Sequence, residues 1–120
     1  MKEFAQFIST LFSSRTQAHI FHLQTSSFAA HKALNEYYDE VLEITDGLVE
    51  SYQGRYGILR GYTGAASFKE DDSVITYFEG LSKYVETVRH NIPQDSYIQN
   101  EVDTLVALIE GTKYKLKFLH

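Results

Sequence analysis

His19, His31, Asp46 and Glu50 are the side chains whose types and order could hold a transition metal, because imidazole and carboxylate are the strong ligands that a chain without cysteine offers. They follow one another at intervals of 12, 15 and 4 residues. If residues 27–53 form one helix, His31 and Asp46 lie about 22 Å apart along it at roughly 1.5 Å per residue. One ion cannot bridge that distance within a chain. A two-fold axis that lays the helix antiparallel to its copy brings His31 of one chain beside Asp46 and Glu50 of the other. The spacing therefore predicts a dimer together with a site.

The elements that must position these residues are helical. Phe4, Phe7, Ile8, Leu11 and Phe12 recur at i, i+3, i+4, i+7 and i+8, which predicts a first helix over residues 3–24. Continued at the same period, the stripe meets Arg15, His19 and His22, so three polar side chains fall on the face expected to enter the core. Buried polar groups need partners, and this half of the helix is either functional or fully hydrogen-bonded. Ser26 or Ser27 caps a second helix running to about Gln53, with Gly54 as its stop. Its apolar face is Leu34, Tyr38, Val41, Ile44, Leu48 and Tyr52, opposite Glu36, Glu40, Glu43 and Gly47. Between the two faces run Phe28, His31, Asn35, Leu42, Asp46, Val49 and Glu50, a mixed stripe that suits a subunit interface carrying ligands.

Residues 54–72, GRYGILRGYTGAASFKEDD, contain four glycines and no sustained period, and read as a long connection. Nineteen residues at up to about 3.3 Å each can retrace a helix of about 40 Å, which allows the overhand crossover of a ferritin-like bundle. Ser73, after the acidic run Glu70, Asp71 and Asp72, opens a third helix to about Asn91, with Val74, Tyr77, Phe78, Leu81, Val85 and Val88 as its stripe. Pro93 starts a fourth, whose Ile98, Val102, Leu105, Ile109, Thr112, Leu116 and Leu119 alternate steps of 4 and 3 as a bundle seam does.

Composition narrows the function. The chain has 120 residues, 43% of them hydrophobic, enough for one domain with its own core. Without cysteine there are no disulfides, thiolate metal sites or cysteine nucleophiles. A net charge of −5 argues against binding nucleic acid by bulk phosphate attraction. Lys113, Lys115 and Lys117 are read as cations complementing a helix C-terminus. The start, MKEFAQFISTLF, carries Glu3 and lacks a small-residue cleavage site, and no run approaches about 18 consecutive apolar residues. A soluble, cytoplasmic protein without a membrane partner is the expectation. The glycines of GRYGILRGYTG lack the Lys-Ser/Thr ending of a phosphate loop. Tyr37, Tyr38, Tyr52, Tyr56 and Tyr62 read as packing at the edge of the core.

The run AHIFHLQTSSFAAHKALNEYYDEVLEITDGLVES, residues 18–51, resembles the Dps family of miniferritins. In that family a His on the first helix is followed by a His twelve residues later, an Asp four further on, and then an Asp and a Glu four apart. Those positions hold His19, His31, Asn35, Asp46 and Glu50. The resemblance implies that His19 and His31 of one chain, with Asp46 and Glu50 of its two-fold mate, bind Fe(II) for oxidation, typically by hydrogen peroxide. Imidazole suits Fe(II) and carboxylate the harder Fe(III) product. Asn35 stands where the family has an Asp, so the ligand set loses one anion, and Ile20 stands where the family commonly has a Trp. The N-terminus is not lysine-rich, unlike that of family members that bind DNA. His22 lies outside the pattern and is read as a packed or interface histidine.

The expectation is thus an all-α, four-helix ferritin-like bundle with a long crossover between its second and third helices, spanning residues 1–120. Its expected activity is that of a Dps-like ferroxidase, built as a homo-oligomer of two-fold dimers and protecting against peroxide. Short Dps-like chains also look like proteins of large tailed bacteriophages. The alternative is therefore a non-enzymatic, virion-associated assembly protein with the same fold.

Overall fold

The computed structural model describes residues 1–64 and 67–120, and within them all regular structure is helical. Four helices carry the fold: α1 (Lys2–Gln24), α2 (Phe28–Tyr56), α3 (Val74–Val88) and α4 (Ser96–Phe118). Single 3-10 turns lie at Asp71–Ser73 and Arg89–Asn91. The longest dimension is 43 Å, the length expected of the 29-residue α2 at roughly 1.5 Å per residue. Of the expected connection, residues 65 and 66 lie outside the described residues. No helix among the described residues is long and apolar enough to cross a membrane.

Local chemistry sets the helix ends. Ser27 is the cap of α2, its Oγ accepting from the Ala30 N–H at 3.2 Å. The helix then passes through Gly54 and stops at Gly57, whose φ of 96° only glycine adopts readily. A glycine inside a helix costs about 1 kcal/mol, too little to end one whose last turn is held by packing. Here Tyr52 stacks on Phe4 at 4.5 Å and packs against Tyr56 at 5.1 Å. Helix α4 begins at Ser96 and not at Pro93. Asp95 is its N-cap residue, and the amide of Gln99 reaches back to the Pro93 carbonyl at 3.0 Å.

Helix α1 packs on α2, α2 on α4, α4 on α3 and α3 on α1, so α2 and α3 occupy opposite corners. The chain between them follows α1. Thr63 N–H donates to Ser9 Oγ at 2.9 Å, and Gln17 bonds both backbone groups of Lys69, at 2.6 and 3.0 Å. The Gln24 amide meets the Glu70 carboxylate at the far end. These bonds explain why α1 buries Ser9 and Gln17 on a flank that its apolar stripe does not predict.

The core is built from Phe4, Phe7, Ile8, Leu11 and Phe21 of α1, Leu34, Tyr37, Val41 and Leu48 of α2, Phe78 and Val85 of α3, and Ile98, Val102, Leu105 and Ile109 of α4. Two details differ from the sequence pattern. The buried stripe of α1 continues through Ser14, Ala18, Phe21 and His22, while Arg15 is half-buried and His19 exposed. On α2 the fully buried tyrosine is Tyr37, with Tyr38 at the edge. One bond accounts for both shifts: the hydroxyls of Ser14 and Tyr37 pair at 2.8 Å, so neither polar group is orphaned in the core. Burial pushes the Tyr37 hydroxyl far above its ordinary pKa, with the Ser14 bond opposing the rise. Leu119 lies beyond the end of α4 and is exposed.

Candidate metal site

The turn at residues 25–27 folds α2 back on α1 and brings three histidines to one end of the bundle. Thr25 N–H closes α1 on the Phe21 carbonyl at 3.0 Å, and Ser27 N–H donates to Thr25 Oγ1 at 3.1 Å. His22, four residues before Ser26, and His31, four residues after Ser27, meet across this turn. Their rings stack with centroids 3.6 Å apart. His22 Nδ1 lies 2.7 Å from the His31 carbonyl, and His31 Nδ1 lies 2.9 Å from the His22 carbonyl. A carbonyl oxygen only accepts, so both Nδ1 atoms donate. The neutral form of each ring then carries its lone pair on Nε2, the arrangement in which a histidine binds a metal. The exchange also satisfies the carbonyl of His22, one of the last four of α1, which the helix itself leaves without a partner.

His19 sits one turn before His22, with its ring 5.9 Å from that of His22 and stacked on Tyr38 at 4.6 Å. His19 and His31 are exposed, whereas His22 is 9% exposed. Asn35 is spent locally: its carbonyl accepts from the Tyr38 hydroxyl at 2.7 Å, and its amide donates to Asp39 at 3.1 Å. Asp46 and Glu50 are exposed further along α2, about 22 and about 28 Å from His31 at roughly 1.5 Å per residue.

One chain thus gathers His19 and His31 around His22 and leaves Asp46 and Glu50 apart from them. Among the described residues, no group of three or more histidines and carboxylates is placed to hold one ion within a single chain. The mixed stripe of α2 is at the surface as expected, with Phe28 76% exposed and Leu42 and Val49 half-buried. Beside it on α1, Leu23 is 71% exposed. Sequence reasoning set His22 outside the pattern, yet His22 holds His31. Its signal was the symmetry of positions 22 and 31 about the turn, visible only once the turn is centred between residues 26 and 27.

The family comparison covers most of the fold described. Residues 22–116 match the model of a family of unknown function, DUF5856, a span that takes in the histidine hairpin from His22 onward and all of α2 and α3. Comparison with curated proteins gives no match, and neither does comparison with solved structures. By the length of that match, the chain belongs to the DUF5856 family of unknown function.

Proposed function

We propose that this chain is a Dps-like miniferritin subunit that binds Fe(II) as its substrate between two copies and promotes its oxidation in the cytoplasm. The observation that carries the reading is the bond from His31 Nδ1 to the His22 carbonyl, which aims an exposed imidazole outward with Nε2 free to ligate. The diagonal placement of α2 and α3, with the connecting chain laid along α1, supports the overhand crossover of a ferritin-like bundle. On this reading His19 and His31 face Asp46 and Glu50 of the partner subunit across a two-fold axis. The imidazoles favour Fe(II), and the carboxylates stabilise the ferric product. Two Fe(II) each give one electron to one hydrogen peroxide. Its O–O bond breaks, and two protons from solvent complete two waters.

The test is anaerobic Fe(II) titration of the purified protein with mass followed by light scattering, then peroxide addition while ferric absorbance is recorded. Binding that saturates at about one or two Fe(II) per interfacial site, followed by fast oxidation, is expected. A folded dimer that binds no Fe(II) overturns the reading.

A second reading is a non-enzymatic assembly protein, such as a virion component, that keeps the bundle. Asn35 favours it, because its carbonyl is tied to Tyr38 and an anionic ligand is missing at that position. Absence of Fe(II) binding by a dimer that still assembles is its signature.

A further inference from the structure

Arg15 presents an unanswered charge. Its Nε is the one side-chain nitrogen or oxygen that is buried without a hydrogen-bond partner among the described residues. The ion pairs found there are those of Arg55, Arg89, Lys113 and Lys115, and none involves Arg15. Arg15 is half-buried, and a guanidinium with no ion pair among the described residues gains from a carboxylate brought to its exposed side.

Its position bears on what could pair with it. The bond between Ser14 and Tyr37, and the stacking of His19 on Tyr38, set Arg15 level with the middle of α2, around Asp39. Asp39 is exposed and receives only the neutral amide of Asn35. A two-fold axis that sets His31 against Asp46 and Glu50 of a second copy must cross α2 halfway between them, at residues 39 and 40. There the Asp39 carboxylates of the two chains approach each other, and like charges in an interface repel unless cations separate them. Resting on the dimer of the proposed function, we infer that Arg15 of each chain pairs with Asp39 of the partner subunit. The two-fold makes the pair twice, once on each side of the axis. A guanidinium can bind a carboxylate through two parallel N–H bonds, a fit that the single ammonium of lysine does not provide.

Charge reversal tests the pair without iron. Two chains are prepared, Arg15→Glu and Asp39→Arg, and their helicity and mass are measured alone and mixed. Each alone places like charges at both contacts, and its dimer should dissociate at least about tenfold more readily than the wild type. Mixed, the two chains restore an opposite-charge pair at both contacts. Native mass spectrometry should then show the mixed dimer in preference to either homodimer. If the wild type is dimeric but both variants dimerise as it does, or the mixture gains nothing, the pair is overturned while the dimer stands. A monomeric wild type overturns the dimer and the pair together. Should Arg15→Glu lose helicity, the exposed Asp39→Arg carries the test, and its dimerising as wild type does overturns the pair.

Discussion

Arg89, Lys113 and Lys115, on or beside α3 and α4, have found carboxylate partners, whereas Arg15 of α1 and the candidate ligands of α1 and α2 make no ion pair among the described residues. Arg89 donates to Asp103 at 2.6 Å, to Glu86 at 3.3 Å and to the Gln99 side chain at 3.1 Å, and these partners, Asp103 foremost, raise its pKa further. Lys113 pairs with Glu110 at 3.0 Å. Lys115 crosses to Glu36 at 2.8 Å and holds that carboxyl below its ordinary range, through its hydrogen bond first and its charge second. On the other side His19, His31, Asp46 and Glu50 make no ion pair among the described residues, Arg15 Nε has no partner, and Leu23 and Phe28 stand in water. Exposed ion pairs are each worth only about 0–1 kcal/mol, so the contrast says little about stability. It says which surface is spare. A face with its ligating groups, one cation and its large apolar side chains all uncommitted is the face on which a second chain and a metal would cost least.

The sharpest way to break this contrast is to remove two carboxylates from each surface in turn. Asp46→Ala with Glu50→Ala should weaken Fe(II) binding by more than about a hundredfold, because metal ligands matter more than the outer-shell groups whose loss already costs 10–100-fold. Glu86→Ala with Asp103→Ala should leave iron binding unchanged. Both pairs should keep wild-type helicity. Equal loss from the two, read by the same anaerobic titration, would mean that the spare surface is not the metal surface.

Next in size is a cut at the junction of the two halves. Phe78 of α3 is fully buried and meets Tyr37 of α2 edge-on, with ring centroids 4.9 Å apart at 82°. Phe78→Ala should cost about 3–5 kcal/mol in urea unfolding, from lost burial and the cavity left behind. A single transition is expected, because one core spans all four helices. Two transitions would separate the halves thermodynamically and strengthen the contrast beyond its surface meaning. Tyr37→Phe probes the same junction from the other side. It should cost about 1 kcal/mol, since the Ser14 hydroxyl retains the Leu11 carbonyl at 2.8 Å.

The fold was legible in the sequence because one-sided apolar periodicity determines a helix bundle. Phe4, Phe7, Ile8 and Leu11, and the seam from Ile98 to Thr112, are buried as the pattern requires. Helix ends were less legible. Gly54 and Pro93 are generic punctuation: packing around Tyr52 and Tyr56 outweighs the first, and α4 starts three residues after the second, with Asp95 at its N-cap position. Of the candidate site, the surface positions of His31, Asp46 and Glu50 followed from their angle on α2. The clasp between His22 and His31 did not, because it depends on where two helices cross. Arg15 was legible as a polar side chain on a core face. Its lack of a partner was not, since that depends on every neighbour at once.

The smallest effect concerns where the settled surface ends. Asp95 accepts from the Tyr56 hydroxyl at 2.5 Å and from that of Tyr97 at 3.1 Å, with Arg55 4.0 Å away, so the end of α2 is tied to the start of α4. The Tyr56 bond is the largest cause holding the Asp95 carboxyl below its ordinary pKa of 3.8, and the same bond raises the Tyr56 hydroxyl. A carboxyl whose folded-state pKa is depressed adds stability that is fully present above its unfolded value. That stability is lost as pH falls through the lower folded value. Carboxyl NMR titration should therefore place the Asp95 midpoint under 3.8. Tyr56→Phe should move it back up. If Tyr56→Phe leaves the midpoint unchanged, the bond is not formed in solution and the tyrosine end of α2 joins the spare surface. If the midpoint rises, the bonded surface extends around the foot of the bundle and ties the end of α2 to the start of α4.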